Sequence, residues 1–380
     1  MIRILWVVTG LEIGGAEAML SKIVTRLDPE RFHSLVVSLR GEGPMGQVLD
    51  SQRIRRRNVD WTKVTHAPQA IQRLRQISRE FQPSVIQGWM YHGNLAASFV
   101  DSNIPLVWSI RVAAEGRKHQ KLLTKLTVNL GARLSKRASR IIYNSRRAMQ
   151  QHQSLGYQVN SSVYIPNGFD TQLYKPLDSS KFIRETLELP VDKKVVGIVA
   201  RYHPNKDHKT FLLAAKELVA KDPNVYFVMV GPEITAYNQE LVSTIKALHL
   251  ESFVSLLGPR QDLQGIYPAF DVCVLSSRTE GFPNVIGEAM SCGIPCVTTD
   301  AGDCAEIVDT TGAVVQKEDP GALAFAIAHI LGESPAQRKL RSEAARTRIV
   351  DHFELSKVVK QFESLYEQHS IAPIGDPRSS

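Results

Sequence analysis

Two glutamates, Glu280 and Glu288, flank seven residues in the stretch "SSRTEGFPNVIGEAMSCGIPCVTT". Around them the chain reads as a strand "DVCVL", a loop "SSRTEGFP" and a helix "NVIGEAMSC" that opens after Pro283 and closes at Gly293. Glu280 then lies in the loop and Glu288 on the helix, so the two carboxylates do not share one helical face. Backbone amides of Gly281, Phe282, Asn284 and Val285 at a helix start make an anion site. Amides for phosphate beside carboxylates for hydroxyls suit a polyol phosphate. The plain alternative is that Glu280 caps its helix and Glu288 is a surface residue.

Three further loops have the same position, between an apolar run and a helix. "RYHPNKDHKT" puts Arg201 at a strand's end and Lys206 five residues on, two cations that neutralise a diphosphate without metal, Arg as a fork and Lys as a point charge. Their plain reading is surface charge. "TGLEIGGAEAML" offers Gly14 and Gly15 for close backbone approach, but it has no Gly-x-Gly pair and is not a dinucleotide fingerprint. "QGWMYHGNL" carries His92 at a strand-to-helix junction.

These loops need strands to hold them. "IRILWVV", "HSLVVSL", "SVIQG", "PLVWSI", "RIIYN" and "SSVYIP" read as buried strands separated by amphipathic stretches. A second series follows residue 190: "KVVGIVA", "VYFVMVG", "FVSLLG", "DVCVL", "PCVTT" and "GAVV". Strict alternation of strand and helix implies parallel sheets covered on both faces. The expected fold is α/β, two doubly wound Rossmann-like lobes facing across a cleft. Residues 1–168 form one lobe and 169–355 the other, joined through "IPNGFDTQLYKPLD". Residues 356–380 are expected to return to the first lobe as a helix and end in a frayed tail after Gln368.

A chain of 380 residues, 43% hydrophobic and 22% charged, suits two soluble domains. The apolar run at the N-terminus is too short for a membrane span and lacks a cleavage site, and Cys273, Cys292, Cys296 and Cys304 have no zinc spacing. The cysteines read as buried thiols and the chain as cytoplasmic. The net charge of +8 is uneven: from Arg111 to Arg147 eleven Lys and Arg face the single Glu115, which gives +10 and leaves about −2 elsewhere. "RIRRR", ending at Arg57, is a second basic knot. Such clusters favour an anionic partner, or are simply a solvated face. Leu122, Leu126, Leu130 and Leu134 recur every four residues within the segment and are expected to pack on the sheet, with the cations turned outward toward anionic lipid at the inner membrane face.

Taken together, these residues resemble the large retaining glycosyltransferase family called glycosyl transferases group 1, which has the GT-B fold. The carriers are Glu280-x7-Glu288 with "AMSCGIPCVTTDAGDCAEIV", "ARYHPNKDH", "IPNGFD" and "GLEIGGAE", over residues 1 to about 367. Ala200 departs from the glycine many members have before the arginine. The resemblance implies that Glu288 holds the ribose hydroxyls. It implies that Glu280 contacts the donor sugar with the amides of Gly281, Phe282 and Asn284, Val285 completing the site. Arg201 and Lys206 would take the diphosphate, with Gly15 against the phosphates or the acceptor. His92 would lie near the reacting carbon, so His92 and Glu280 are the catalytic candidates. No metal and no cofactor are implied. The partners implied are a nucleotide-sugar donor, most commonly a UDP-sugar, and a glycan or lipid-linked acceptor of envelope biosynthesis. Open alternatives are a sugar-nucleotide epimerase or glycoside phosphorylase on the same fold, or a basic-patch lipid or nucleic-acid binding protein. Nucleic acid is disfavoured because aromatic and basic residues are not interleaved.

Overall fold

The computed structural model describes residues 1–114, 122–177 and 180–371. Glu115, Arg117, Lys118 and Lys121 of the basic segment, the side chain of Leu122 and the tail beyond 371 lie outside the described residues. The chain divides into two compact units. Unit 1 is Met1–Gly168 with the chain from Ser356, and unit 2 is Phe169–Leu355.

Unit 1 alternates strand and helix throughout. It begins β1 (Ile2–Gly10), α1 (Gly15–Val24), β2 (Phe32–Arg40), α2 (Gly43–Ser51), β3 (Arg55–Asn58) and α3 (Ala67–Phe81). It continues β4 (Val85–Trp89), α4 (Met90–Ala97), β5 (Leu106–Ile110), α5 (Leu122–Leu134), β6 (Arg140–Tyr143), α6 (Arg146–Ser154) and β7 (Ser162–Tyr164). All seven strands are parallel in the order β3-β2-β1-β4-β5-β6-β7. Because both faces are covered, the central strands are apolar along their length rather than alternating: Ile4 to Val8 and Val85 to Trp89 are buried without a break.

Unit 2 opens with α7 (Ser180–Thr186), β8 (Lys194–Val199), α8 (His208–Lys221), β9 (Val225–Val230), α9 (Gln239–Ala247) and β10 (Val254–Leu256). Next come β11 (Val272–Leu275), α10 (Asn284–Ser291), β12 (Cys296–Thr299), α11 (Cys304–Val308), β13 (Ala313–Val315), α12 (Pro320–Leu331) and α13 (Pro335–His352). Its six parallel strands run β10-β9-β8-β11-β12-β13. Two apolar layers sandwich the sheet, one built from α10 and α13 and the other from α8, α9 and α12. The four cysteines are free and buried, as expected of small apolar side chains.

The last helix, α14 (Leu355–His369), starts at the boundary and packs on unit 1. Tyr366 stands edge-on to Trp6 at 5.8 Å and its hydroxyl donates to Gln87 Oε1 at 2.9 Å. Glu363 accepts from the Asp28 amide at 2.9 Å. The chain stays tied beyond Gln368, where fraying is expected, because the Ile371 amide donates to the Ser84 carbonyl at 3.1 Å.

One sequence reading needs correction, and another is refined. Leu126 and Leu130 do not pack on the sheet: they are 55% and 45% exposed, whereas Leu134 packs against the core. α5 instead buries Val128, Gly131 and Ala132, because Tyr157 lies under Gly131 and donates to the Val128 carbonyl at 3.1 Å. Arg55, Arg56 and Arg57 of the "RIRRR" knot lie on edge strand β3; Arg56 is ion-paired with Asp50 at 2.6 Å and Glu42 at 3.3 Å, while Arg53, Arg55 and Arg57 are exposed. Among the described residues no helix is long and apolar enough to cross a membrane.

Candidate functional site

Ligands of open parallel sheets gather outside the carboxyl ends of the strands, where the strand order reverses. In unit 2 the reversal lies between β8 and β11. The loops leaving it are 200–207 and 276–283, which carry Arg201, Lys206 and Glu280.

The first loop is fixed from within. Pro204–Lys206 forms one tight turn, and the His203 ring accepts from the Asn205 amide at 3.1 Å. Asp207 ends the turn in the left-handed region, φ 48°, and caps α8, accepting the Thr210 hydroxyl at 2.8 Å and its amide at 3.4 Å. Gly231, at φ 146°, lets the neighbouring loop close on this one, where a Cβ would stand 2.2 Å from the Ala200 carbonyl oxygen.

The second loop is fastened to the first. Arg278 donates from Nε to the Asp207 carboxylate at 3.2 Å and from its amide to the Asn205 carbonyl at 2.8 Å. The Ser276 hydroxyl donates to the Lys206 carbonyl at 2.9 Å. Lys206 Nζ and Glu280 Oε1 are thereby brought into an ion pair, and the Ser277 hydroxyl donates to the same oxygen at 2.7 Å. Both side chains are largely shielded, 23% and 11% exposed, and Arg201 is exposed at the strand's end.

Glu280 does not cap its helix. The N-cap of α10 is Pro283, with no side-chain cap hydrogen bond, so the Glu280 carboxylate does not occupy the cap position. The Glu280–Gly281 turn is braced by Gly302, at φ 55°, whose Cβ would lie 2.4 Å from the Gly281 oxygen and 2.5 Å from that of Glu280. The Phe282 side chain is buried, stacked on Phe169 at 6.1 Å and 5.7 Å from Phe353, so only its backbone is available to a ligand. Phe169 in turn presses on Gly287, where a Cβ would come within 2.1 Å of its ring.

Glu288 is no surface residue: it is 8% exposed and accepts from the Tyr267 hydroxyl at 3.1 Å. Tyr174 adjoins Tyr267, ring centroids 6.1 Å apart. Burial first, and the negative charge of Glu288 second, push both phenols well above their ordinary pKa, so they stay protonated as donors. Just inside α8, burial and the Lys206 charge push His208 down to about 4, so its ring is neutral.

Unit 1 reverses between β1 and β4, and its two switch-point loops hold the remaining predicted residues. Gly15 is exposed as the first residue of α1, and the Glu17 carboxylate folds back over Gly14. Burial, and to a smaller degree Glu12, raise the Glu17 pKa against the opposing effect of its own amide. His92 is the third residue of α4, which opens at Met90 in the left-handed region, φ 64°, a strained backbone for a side chain of that size. Gly93 lets α4 press on β1, where a Cβ would stand 2.4 Å from the Val7 oxygen. The His92 edge is exposed, yet the protein around it and, less strongly, Arg40 lower its pKa, which leaves a neutral imidazole at pH 7.

Unit 2 thus joins Lys206 to Glu280 at its switch point, with Arg201 exposed after β8 and Glu288 buried on α10. Gly15 and His92 occupy the unit 1 switch point. Asp207, Arg278, Ser277 and Tyr267 escape a reading from sequence. An acid three residues before Thr210 is a capping signal that could have found Asp207. Tyr267 is 21 residues from Glu288, and no local pattern joins them. Among the described residues no three His, Cys, Asp or Glu side chains form a metal-holding group.

Comparison with known proteins agrees with this layout. Residues 193–333 match the family model described as Glycosyl transferases group 1, and residues 13–173 match that of Glycosyltransferase Family 4. The chain is similar to the UDP-Gal:alpha-D-GlcNAc-diphosphoundecaprenol alpha-1,3-galactosyltransferase of Escherichia coli, 29% identical over 212 residues, 53% of each chain. It is also similar to the D-inositol 3-phosphate glycosyltransferase of Mycolicibacterium smegmatis, 32% identical over 207 residues, 52% of this chain and 46% of that one. The chain spans about half the length of the curated relatives it matches. Among solved structures it resembles Anabaena HepE, in complex with UDP (TM-score 0.86) and with UDP-glucose (TM-score 0.82). Each is 24% identical over 97% of this chain and 100% of that one, a likeness of fold. Two doubly wound lobes, each matched by a glycosyltransferase family model over most of its strands, make this chain a member of the glycosyl transferases group 1 family.

Proposed function

We propose that this protein is a retaining, metal-independent glycosyltransferase. It moves a sugar from a UDP-sugar to a glycan or lipid-linked acceptor, in envelope polysaccharide or glycoconjugate biosynthesis. The observation that carries the reading is the Lys206–Glu280 pair at the β8/β11 reversal, with buried Glu288 on the helix that follows. Breaking a sugar–diphosphate bond builds negative charge on the leaving oxygen. Arg201, Lys206 and the α10 amides are fixed positive groups for that charge, which is the work a metal would otherwise do. Glu280 then turns to the donor sugar and Glu288 to the ribose, their hydroxyls replacing the contacts the carboxylates now make. His92, a neutral imidazole, serves the reacting carbon from unit 1, the acceptor-binding lobe. Retention of configuration is carried over from the family.

UDP is favoured because HepE is bound to UDP and UDP-glucose and the Escherichia coli relative is named for UDP-Gal. That relative and the Mycolicibacterium one are both named for phosphate-bearing acceptors, a diphosphoundecaprenol sugar and inositol 3-phosphate. A peripheral membrane contact fits the same reading. Leu126 and Leu130 line a groove of about 700 Å³ with Arg133 and Lys136, and each cation near an anionic surface adds about 1 kcal/mol. Liposome co-sedimentation at low salt checks that contact; indifference to anionic lipid would remove it.

The donor test is a thermal-shift panel of UDP-, GDP- and ADP-sugars in EDTA. At a hundred times its Kd a ligand adds about 2.7 kcal/mol. The expected result is a shift with the UDP series alone, and silence from all three would overturn the reading.

A further inference from the structure

Arg111 directly follows β5, at the carboxyl edge of the unit 1 sheet, and is 6% exposed. Its guanidinium lies over Trp89 at 4.5 Å and near Phe362 at 5.5 Å. Among the described residues it makes one hydrogen bond, from Nη1 to Asn167 Oδ1 at 2.8 Å. Nε and Nη2 are buried and have no hydrogen-bond partner, and no carboxylate pairs with Arg111 among the described residues. Those two atoms form one edge of the guanidinium, the side-on pair that grips both oxygens of a carboxylate or phosphate. The bond to Asn167 fixes the opposite side and the Trp89 ring fixes the plane, so the free edge has a set direction.

A buried cation without a counter-charge is costly, and folded proteins rarely keep one unless something else compensates it. Burial lowers the pKa of Arg111 to about 9, yet a guanidinium stays charged at neutral pH, so among the described residues its charge is unmatched. The surroundings join this edge to the unit 1 switch point. Trp89 ends β4, one residue before strained Met90 and three before His92, and its indole donates to the Ala16 carbonyl in the first turn of α1 at 3.0 Å. Arg111 is therefore in ring contact with the residue that links the two unit 1 loops.

We infer that the Nε/Nη2 edge of Arg111 is an oxyanion-binding fork that holds a phosphate or carboxylate of the acceptor. This rests on the reading of unit 1 as the acceptor-binding lobe. Because Nε and Nη2 are closed to solvent, an oxyanion must displace a side chain to reach them. Lysine keeps the charge but loses the two-pronged edge, whereas methionine fills the slot without charge.

The test is titration of the full chain at constant ionic strength with methyl phosphate and, separately, with succinate. Binding is followed through the Arg111 Nε–H resonance, identified by its loss in Arg111→Lys. The resonance should move saturably with one probe, which names phosphate or carboxylate as the source. Calorimetric affinity for that probe should fall at least tenfold in Arg111→Lys and Arg111→Met. Ligand-free Arg111→Met should melt no lower than the parent, because it removes an uncompensated buried charge. A resonance unmoved by either probe, or calorimetric affinity unchanged in Arg111→Lys, overturns the inference. So does a large drop in the melting temperature of Arg111→Met, which would make Arg111 a packing residue. UDP titrated into the same samples separates the two ideas: unchanged UDP binding with a silent fork sinks the inference alone, whereas no UDP binding sinks the donor reading.

Discussion

At the β8/β11 reversal of unit 2, Lys206 is paired with Glu280 and Arg278 with Asp207. On the matching edge of unit 1, Arg111 has an asparagine and two rings for company, Met90 is strained and His92 is neutral. The two sheets share one winding, so the difference is not one of fold. It lies in what the loops do with charge. Unit 2 pairs Lys206 with Glu280 and Arg278 with Asp207, which holds two loops from distant parts of the sequence in register. A charged ligand there exchanges one set of partners for another. Unit 1 leaves the Arg111 charge unmatched among the described residues and the Met90 backbone strained, the state expected of a site completed by what it binds.

The widest break in this comparison comes from the paired side. Lys206→Ala removes the fixed cation and leaves Glu280 with only Ser277. Turnover should fall 10²–10³-fold, about 3–4 kcal/mol of transition-state stabilisation, with the fold intact by circular dichroism. A turnover within a few-fold of the parent would mean that the pair is only a loop clasp.

Next in size is a pH effect confined to unit 2. Folding holds His208 neutral, so the unfolded chain gains a proton near pH 6.5 while the folded one resists to about 4. Stability is therefore full above pH 6.5 and declines as pH falls toward 4, by about 3 kcal/mol in all. Urea unfolding at steps between these limits reads the slope, which should flatten in His208→Gln. An equal slope in that variant would move the effect to another group.

A smaller effect sharpens the packing under the site. Gly287→Ala drives a methyl into the Phe169 ring and should cost about 1–3 kcal/mol of stability. An unchanged midpoint would show that Phe169 has room to move.

The legible parts of the sequence were those governed by neighbours. Buried parallel strands are uninterrupted apolar runs, so β1, β2 and β4 to β13 stand out by eye. The loops between them then fall at carboxyl ends without further information, which is why Arg201, Lys206, Glu280 and His92 could be marked. Edge strand β3, three arginines and an asparagine, carries no such run. The four-residue leucine spacing of α5 marks a helical face but not the side it turns to, and Tyr157 beneath Gly131 decided that. The clasp from Arg278 to Asp207, the phenol on Glu288 and the open edge of Arg111 join residues far apart in the chain, and periodicity is blind to all three.

The most direct test of the central claim, that the unit 2 switch point is the nucleotide-diphosphate site, is a calorimetric titration of UDP in EDTA. It would be run on the parent, Arg201→Ala, Lys206→Ala and Glu288→Ala. The account predicts one-to-one binding to the parent without metal. It predicts weakening by tenfold or more in each variant, a loss of about 1.4 kcal/mol or more apiece. Binding that requires added metal, or that is equal in the parent and all three variants, would contradict it.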